Sequence, residues 1–185
     1  MSKVKFGLKN AFYSKITESE GVISYATPKA LKGAVSMSLA PTGESLEFYA
    51  DNEMYFGENV NNGYDGTLEL ALVPDDFRAD ILGEIANADG VIEESATAVQ
   101  SSFALLCELT TDDGATKFAF YNCRASRVNI DGATKTATKE VKTETLNLTI
   151  RPDANGIVQR HTGVGTDDDV VAAWYNEVYQ PTISA

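Results

Sequence analysis

The sequence has few of the residues that enzymes most often use to bind metals or attack a substrate. Its 185 residues include one histidine, His161, and two cysteines, Cys107 and Cys123. One imidazole and two thiols argue against a zinc site and against a Cys–His nucleophile. Cys107 lies among leucines, which is typical of a small core side chain. Both cysteines occur in strand-like segments and are predicted to be free thiols, whereas His161 is predicted to lie on a strand surface.

The motifs of common catalytic families are also missing. The sequence contains no Gly-rich phosphate loop, no G-x-S-x-G and no H-E-x-x-H. The acidic groups Asp75-Asp76, Asp112-Asp113 and Asp167–Asp169 lack the spacing of a calcium loop, and helix caps and turns account for them. Nothing places two carboxylates across a cleft, as a glycosidase requires. We therefore predict that the protein is not an enzyme and has no catalytic, cofactor-binding or metal-binding residues.

Long apolar runs are absent as well. No stretch of about 20 apolar residues is available to span a membrane. The N-terminal segment MSKVKFGLKNAFYSKI is basic but lacks a continuous apolar region, so no signal peptide is expected. A hydrophobic content of 43% is typical of a globular chain. With no internal repeat or linker, residues 1–185 are predicted to form a single domain.

Basic residues are almost absent from the middle of the chain. Residues 34–116 contain one, Arg78, against 17 acidic residues, whereas residues 1–33 contain six lysines and two glutamates. Residues 117–160 contain eight basic and four acidic residues. The net charge of −12 argues against a sequence-reading nucleic-acid binder. The separation of charge fits either a solvated acidic surface or head-to-tail complementarity between subunits.

Alternating apolar and polar residues, interrupted by turn signals, predict about eight or nine strands. The clearest helix is predicted at about Asp75–Leu82, with Asp75 as N-cap and an end near Gly83; it would plug the open side of a sheet. A second helix is predicted from Val170 to about Tyr179. These elements indicate a mainly β fold, either a sandwich or a barrel, with a flanking helix.

The most unusual segment is 44–65, which combines acids and aromatics with no lysine or arginine. It is predicted to form two strands with a bend at Asp51-Asn52, followed by a loop. Its aromatic residues could be exposed in an interaction loop, or they could fold back onto the core.

Other segments carry narrower predictions. In residues 33–39, Val35, Met37 and Leu39 should share one face, and Ala34, Ser36 and Ser38 the other, which suits close packing or the wall of an open space. Residues 3–9 could be an edge strand or an extended arm. Residues 91–100 and 134–143 could each be a loop or an exposed strand. Asp112-Asp113-Gly114 predicts a hairpin turn, and Asn155-Gly156 predicts a hairpin whose return strand is 157–163.

Four stretches give the sequence a family resemblance. They are KFGLKNAFYS from Lys5, FYADNEMYFG from Phe48, GTLELALVPDDFRADILGE from Gly66 and AAWYNEVYQPT from Ala172. In this order they resemble the phi13-type major tail proteins, the tail tube proteins of bacteriophages with long, non-contractile tails. The resemblance spans nearly the whole chain, and its specificity lies in the combination of the four stretches.

The resemblance implies a β-sandwich protomer with one flanking helix, a long early loop and terminal arms. Such protomers form hexameric rings that stack into the tail tube, the channel for DNA ejection. The loop would be 44–63, the N-terminal arm 1–16 and the C-terminal arm or helix 164–185. Some members carry a C-terminal immunoglobulin-like domain, which is not expected here.

The resemblance also implies which residues and partners matter. The ring-stacking loop would use acidic and aromatic residues, namely Glu47, Phe48, Tyr49, Asp51, Glu53, Tyr55, Phe56 and Glu58. The face of Ala34, Ser36 and Ser38 is the candidate lumen face. Expected partners are other copies of the chain, the tape measure protein, the tail terminator and the distal tail protein, with only transient, non-specific contact to DNA. The protein would be made in the host bacterial cytoplasm and reside in the virion, with no membrane partner.

Two alternatives stay open at this point. The inner tube of a contractile tail or of a type VI secretion system belongs to the same structural class. A soluble β-sandwich module that binds a carbohydrate or another ligand belongs to a different class, and Tyr49, Tyr55 and Phe56 could form its aromatic platform.

Overall fold

The computed structural model describes residues 3–130, 132 and 141–181 and confirms the predicted mainly β fold class. The strands of this part of the chain are β1 (Lys5–Ser19), β2 (Val22–Tyr25), β3 (Lys29–Ala30), β4 (Ala34–Thr42), β5 (Ser45–Ala50), β6 (Glu53–Asn59), β7 (Gly63–Leu70), β8 (Ile85–Ala86), β9 (Ile92–Glu93), β10 (Phe103–Thr111), β11 (Gly114–Ala125), β12 (Glu144–Arg151) and β13 (Gln159–His161). Its helical segments are α1 (Asp75–Phe77), a π turn (Arg78–Leu82) and α2 (Asp168–Ala173).

Most of these strands belong to one large antiparallel sheet. Among the described residues it has nine strands, with β2-β1-β10-β11-β12-β7-β4 in order, β3 alongside β1 and β13 alongside β11. The sheet curls so that the start of β4 approaches β1. The Leu31 N–H donates to the Ala11 carbonyl of β1 (2.7 Å), and the chain enters β4 three residues later. The result is a barrel-like fold with a seam between β1 and β4.

The inner face of the curled sheet holds the main hydrophobic core. Phe103, Leu105 and Cys107 of β10 lie in it, and the helical segment closes it with Phe77, Ile81 and Leu82. The Phe77 ring packs edge-on against Tyr13 and Phe103, at centroid distances of 5.0 and 5.4 Å. The predicted role of this helix as a plug is confirmed.

The helix itself differs from the prediction in two details. Asp75 is its first residue, and the N-cap position belongs to Pro74, which offers no side-chain hydrogen bond. The second half is a π turn, whose i→i+5 spacing brings residues four and five apart to the same side. Ile81 and Leu82 can therefore both face the core with Phe77. The helix ends at Gly83 as predicted, with a left-handed φ of 80°.

A second hydrophobic cluster lies on the outer face of β10 and β11. Ala104, Leu106 and Tyr121 pack there against Trp174 and Val178 of the C-terminal segment. The predicted helix from Val170 to Tyr179 is wrong in extent, because the observed helix is Asp168–Ala173. Trp174 and Val178 nevertheless face the sheet, and the Tyr121 hydroxyl donates to the Tyr179 carbonyl at 2.8 Å. The described part of the predicted C-terminal arm is thus docked on its own sheet.

The predicted N-terminal arm is also part of the body from Lys5 onward. Strand β1 pairs with β10 from Lys5↔Thr111 to Lys15↔Phe103. Ala11, Tyr13 and Ser14 are buried. The interpretation as a strand is therefore correct for this segment.

Turn chemistry predicted one hairpin correctly and another incorrectly. Asp112 and Asp113 connect β10 and β11, with Thr111 opposite Gly114. Asn155-Gly156 does form a turn, but β13 pairs with β11 and not with β12. Both β12 and β13 run antiparallel to β11, so the chain has the same direction before and after the turn. The Asn155-Gly156 turn therefore interrupts the pairing with β11 and does not form a hairpin. The Asp153 side chain closes it by accepting hydrogen bonds from the Asn155 and Ile157 N–H groups.

The remaining local predictions have mixed outcomes. His161 is exposed on β13, as predicted, and stacks on Phe118. Residues 91–100 include the short strand β9, which pairs with β8. Most of 134–143 lies outside the described residues.

Candidate interaction surface

The acidic, aromatic segment forms a hairpin that prolongs the body of the sheet. Thr42 of β4 lies opposite Gly63 of β7, and the Asn62 N–H donates to the Thr42 carbonyl at 2.8 Å. The Val60 N–H then donates to the Glu44 carbonyl at 3.0 Å, after which β5 and β6 pair with each other. One two-stranded ribbon therefore runs out of the sheet. Its free part, strands β5 and β6, extends about 20 Å beyond the last strand pairing of the body.

The hairpin reverses at Asp51 and Asn52, as predicted. Both residues have left-handed backbones, with φ of 53° and 63°. Two such residues in succession are characteristic of the tight turn that matches the twist of antiparallel strands, and Asp and Asn tolerate this conformation best after glycine. The turn residues thus specify where the ribbon ends.

The aromatic residues of the hairpin are exposed. The exposed fractions are 77% for Tyr55, 60% for Tyr49, 57% for Phe48 and 49% for Phe56. The alternative in which these rings fold back onto the core is therefore wrong. Among the described residues, the aromatic ring contact of Phe48 is with Tyr55 of the same hairpin, at a centroid distance of 6.4 Å. A cluster of this kind is typical of a surface that another molecule covers.

The two faces of the hairpin differ in chemistry. Phe48 lies opposite Phe56, and Leu46 lies opposite Glu58, so one face is largely apolar. Glu47 and Tyr49 alternate onto the other face, where the Tyr49 hydroxyl donates to a Glu47 carboxylate oxygen at 2.9 Å. Asp51 and Glu53 occupy the tip. The structure therefore brings all eight predicted loop residues together on one projecting element.

The root of the hairpin is built on close backbone contacts at two glycines. A Cβ atom on Gly43 would lie 1.8 Å from the Val60 carbonyl oxygen. A Cβ atom on Gly63 would lie 2.0 Å from the Ile150 carbonyl oxygen, and Gly63 has a φ of 104°. Neither position has room for a side chain, so the ribbon leaves the body at a tightly packed joint.

The three residues predicted as the lumen face, Ala34, Ser36 and Ser38, do not all lie on one face of β4. Ser36 and Ser38 are exposed on β4, but Ala34 packs against the inner core. The strand register shifts between Ala34 and Ser36, and Val35 is 52% exposed instead of pointing inward with Met37. A bulge adds one residue to the strand. The side chains before it therefore point to the face opposite to the one that strict alternation predicts. Strict alternation of the sequence could not reveal this shift.

A wider polar face surrounds the two serines, and the sequence analysis missed it. Ser36 and Ser38 lie beside Glu69 and Thr67 of β7, which lie beside Thr145 and Asn147 of β12. Glu69 accepts hydrogen bonds from Thr143 at 2.6 Å and from Ser36 at 2.7 Å, and these bonds lower the pKa of its carboxyl group. The alternation within each strand was visible, but the pairing of β4, β7 and β12 was not.

The described residues contain no cluster of three or more His, Cys, Asp or Glu side chains suited to a metal ion, and no helix among them is long and apolar enough to cross a membrane. Cys107 and Cys123 are free and buried. Burial raises the pKa of the Cys107 thiol to about 12 and raises that of Cys123 as well. Thiols held in the protonated form are poor nucleophiles.

Neither a protein-family model nor a curated protein matches the sequence.

Proposed function

We propose that this protein is a structural subunit that assembles with copies of itself into hexameric rings, and that the rings stack into a bacteriophage tail tube. The observation that carries the proposal is the projecting hairpin β5–β6, whose aromatic and acidic side chains are exposed on both faces. The resemblance of four sequence stretches to tail tube proteins supplies the class of assembly. The mainly β fold with a helical plug is compatible with it.

An isolated hairpin is an unusual element for a protein that acts alone. A two-stranded hairpin is marginally stable in water, because it buries little apolar surface. Leu46, Phe48 and Phe56 together present an apolar face that lacks cover from the described part of the chain. Contact with a neighbouring subunit would bury this face and order the hairpin. Self-assembly therefore explains why the chain keeps so many exposed aromatics on one element.

The polar face of β4, β7 and β12 suits the wall of a DNA channel. Its centre is formed by Ser36, Ser38, Thr67 and Asn147 around the carboxylate of Glu69. Hydroxyl, amide and carboxylate groups at these positions offer no cation to hold a phosphate, so DNA would pass without binding tightly. In this proposal Ser36 and Ser38 belong to the lumen face, and Ala34 does not.

The remaining parts of the proposal follow from the tube. The subunit would be made in the host bacterial cytoplasm and would reside in the virion. Its partners would be its own copies along the tube, with the tape measure, tail terminator and distal tail proteins in contact with the tube interior and ends. It would need no cofactor and would perform no catalysis.

Light scattering coupled to size-exclusion chromatography tests self-assembly in solution. We expect the mass to rise with protein concentration in steps of a closed ring, or in a continuous distribution of larger particles. A mass that stays at that of one chain across a hundredfold range of concentration and salt, with and without a tail initiator complex, would contradict the proposal.

A further inference from the structure

A groove along the seam of the sheet has the charge and position to receive the hairpin of a second copy. It is lined by residues 8–12 of β1 and by residues 30–34, which lead from β3 into β4, and its volume is about 410 Å³. Leu8, Phe12 and Ala34, which are partly exposed, contribute apolar surface to it. We refer to it below as the seam groove.

The charge of the seam groove is opposite to that of the hairpin. Lys9 and Lys32 line it, both are exposed, and no acidic residue is among its lining residues. Residues 43–62, by contrast, contain five acidic residues and no basic ones. Of two other grooves of the molecule, the one beside Leu72 has three acidic lining residues and one basic residue. The one beside Leu82 has one of each, Glu94 and Arg127, which form an ion pair. An acidic ribbon would be repelled by the groove beside Leu72, find no net charge beside Leu82 and be attracted to the seam groove.

The strand edges beside the groove are open to further pairing. Within the described residues, β4 is the last strand of the sheet order, with β7 as its strand neighbour. Strand β3 pairs with β1 at Phe12 and Tyr13, and Leu31 adds a hydrogen bond to Ala11. Before Ala11, the edge of β1 that faces β4 across the groove has no strand pairing among the described residues. Such edges accept an added strand through backbone hydrogen bonds, and nearby side-chain pockets then set the specificity.

The hairpin and the groove lie at opposite ends of the same strand. The seam groove contains Ala34, the first residue of β4, and the hairpin continues the ladder past Thr42, its last residue. These nine residues cover about 26 Å, and the hairpin then extends away from the groove. A chain therefore cannot place its hairpin in its own groove, whereas a copy displaced along β4 can. Repetition of such a contact links subunits head to tail.

We propose that the seam groove is the docking site for hairpin β5–β6 of a second copy, with Glu47, Glu53 and Glu58 of the hairpin close to Lys9 and Lys32 of the groove. The inference rests on the proposed function, since it names the surface that the hairpin meets in the next ring.

Disulfide cross-linking between two variants that each carry one added cysteine tests the contact directly. Tyr55→Cys places a thiol near the hairpin tip, and Lys32→Cys places one in the groove; both positions are exposed. The native thiols of Cys107 and Cys123 are buried and should not form disulfides between chains. The two variants, each shown by circular dichroism to be folded, are mixed and oxidised under assembly conditions. Val99→Cys, at an exposed position outside the groove lining, replaces Lys32→Cys in the control mixture.

Charge reversal tests the same contact without cysteines. Lys9→Glu with Lys32→Glu should reduce assembly by about tenfold, because the four acidic residues of the hairpin would then face a negative groove. Adding Glu47→Lys and Glu58→Lys to the same chain should restore assembly. The matched control, Lys3→Glu with Lys5→Glu, makes the same change in net charge outside the groove lining and should assemble like the unchanged protein.

The outcomes separate this inference from the proposed function. A heterodimer that forms with Lys32→Cys about tenfold faster than with Val99→Cys, together with rescue by the reversed pair, supports the docking site. Tubes or rings that form without this cross-link, or equal cross-linking at both positions, would overturn the docking site and leave self-assembly intact. A chain that stays monomeric and forms no cross-link would overturn both.

Discussion

At the scale of single residues, Asp80 joins the helical segment to strands β1 and β3 through hydrogen bonds. It accepts hydrogen bonds from the Tyr13 hydroxyl at 2.9 Å and from the Lys29 ammonium at 2.6 Å. Burial alone would raise the pKa of Asp80, but the hydrogen bonds from Lys29 and Tyr13 outweigh it and lower the pKa. A carboxylate with a lowered folded-state pKa stabilises the fold above its unfolded value near 4, and this contribution is lost as the pH falls through the folded-state pKa.

Replacing this carboxylate should therefore have a pH-dependent effect. We expect Asp80→Asn to lower the free energy of unfolding by about 1 kcal/mol at pH 7, a modest value because Lys29 is half exposed. The loss should be smaller at pH 3 than at pH 7, because the contribution of the carboxylate begins to fall below its unfolded value near 4. Urea unfolding at both pH values measures it, with Asp89→Asn on an exposed loop as control. An equal loss at both pH values would show that charge is not involved.

A second residue-scale prediction concerns the joint of the hairpin. Gly63→Ala should destabilise the protein by about 3 kcal/mol, because the new Cβ atom would collide with the Ile150 carbonyl and the φ of 104° disfavours any side chain. Gly90→Ala is the matched control: its φ is 79°, but nothing lies within 4 Å of the added Cβ atom. Backbone strain alone should lower the free energy of unfolding of the Gly90→Ala variant by about 1 kcal/mol. Thermal unfolding would contradict this account if the two substitutions had the same effect.

At the scale of elements, the hairpin should be dispensable for folding and necessary for assembly. Replacing β5, the Asp51-Asn52 turn and β6 with a two-residue Asn-Gly turn between Glu44 and Val60 uses a backbone hydrogen bond that already joins these residues. The variant should unfold within about 1 kcal/mol of the unchanged protein, because the removed side chains are not part of either hydrophobic core. It should form no long tubes.

The readouts for this variant are urea unfolding and electron microscopy. A second variant that keeps the hairpin but carries Val99→Ser controls for the loss of an exposed apolar side chain elsewhere. Normal tubes from the hairpinless variant would show that the hairpin is not the stacking element.

Elements with strong local signals were the ones that the sequence predicted well. The Asp51-Asn52 reversal follows from the conformational preferences of those two residues, and the Asp112-Asp113-Gly114 turn follows from similar chemistry. The end of the helix at Gly83 is local in the same way. These features depend on a few adjacent residues, so neighbours distant in sequence could not override them.

Features that depend on distant contacts were missed. The bulge at Val35 reflects how β4 pairs with β7, and the pairing of β13 with β11 overrides the hairpin signal at Asn155-Gly156. The short α2 helix ends at Ala173, although its apolar periodicity continues to Val178. Trp174 and Val178 pack on the sheet without remaining helical, so periodicity indicated the correct face but not the correct extent.

At the scale of the whole molecule, the chain has a polarity along β4. A basic groove lies at the first residue of this strand, and an acidic ribbon extends from its last. The sequence already separated these charges, with lysines concentrated in residues 1–33 and acids in residues 34–116. In the folded chain, the basic groove and the acidic hairpin lie at opposite ends of β4. In the proposed assembly these two ends would meet head to tail.

Because the contact joins opposite charges at the surface, assembly should depend on salt. Raising the ionic strength from about 0.05 M to about 1 M shortens the screening length from roughly 14 Å to roughly 3 Å. We expect the concentration needed for half-maximal assembly, measured by light scattering, to rise by about tenfold over this range. Unchanged or stronger assembly at high salt would indicate that apolar contacts of the hairpin dominate.

The central claim is that copies of this chain form a hollow tube. Electron microscopy of the purified protein, in low salt and with an initiator complex where spontaneous assembly is slow, tests it most directly. The account predicts rings or tubes with an open channel and a regular axial repeat, in which the hairpin of each subunit reaches the subunit of the next ring. Particles of single-chain size under all of these conditions, or filaments without a channel, would contradict it.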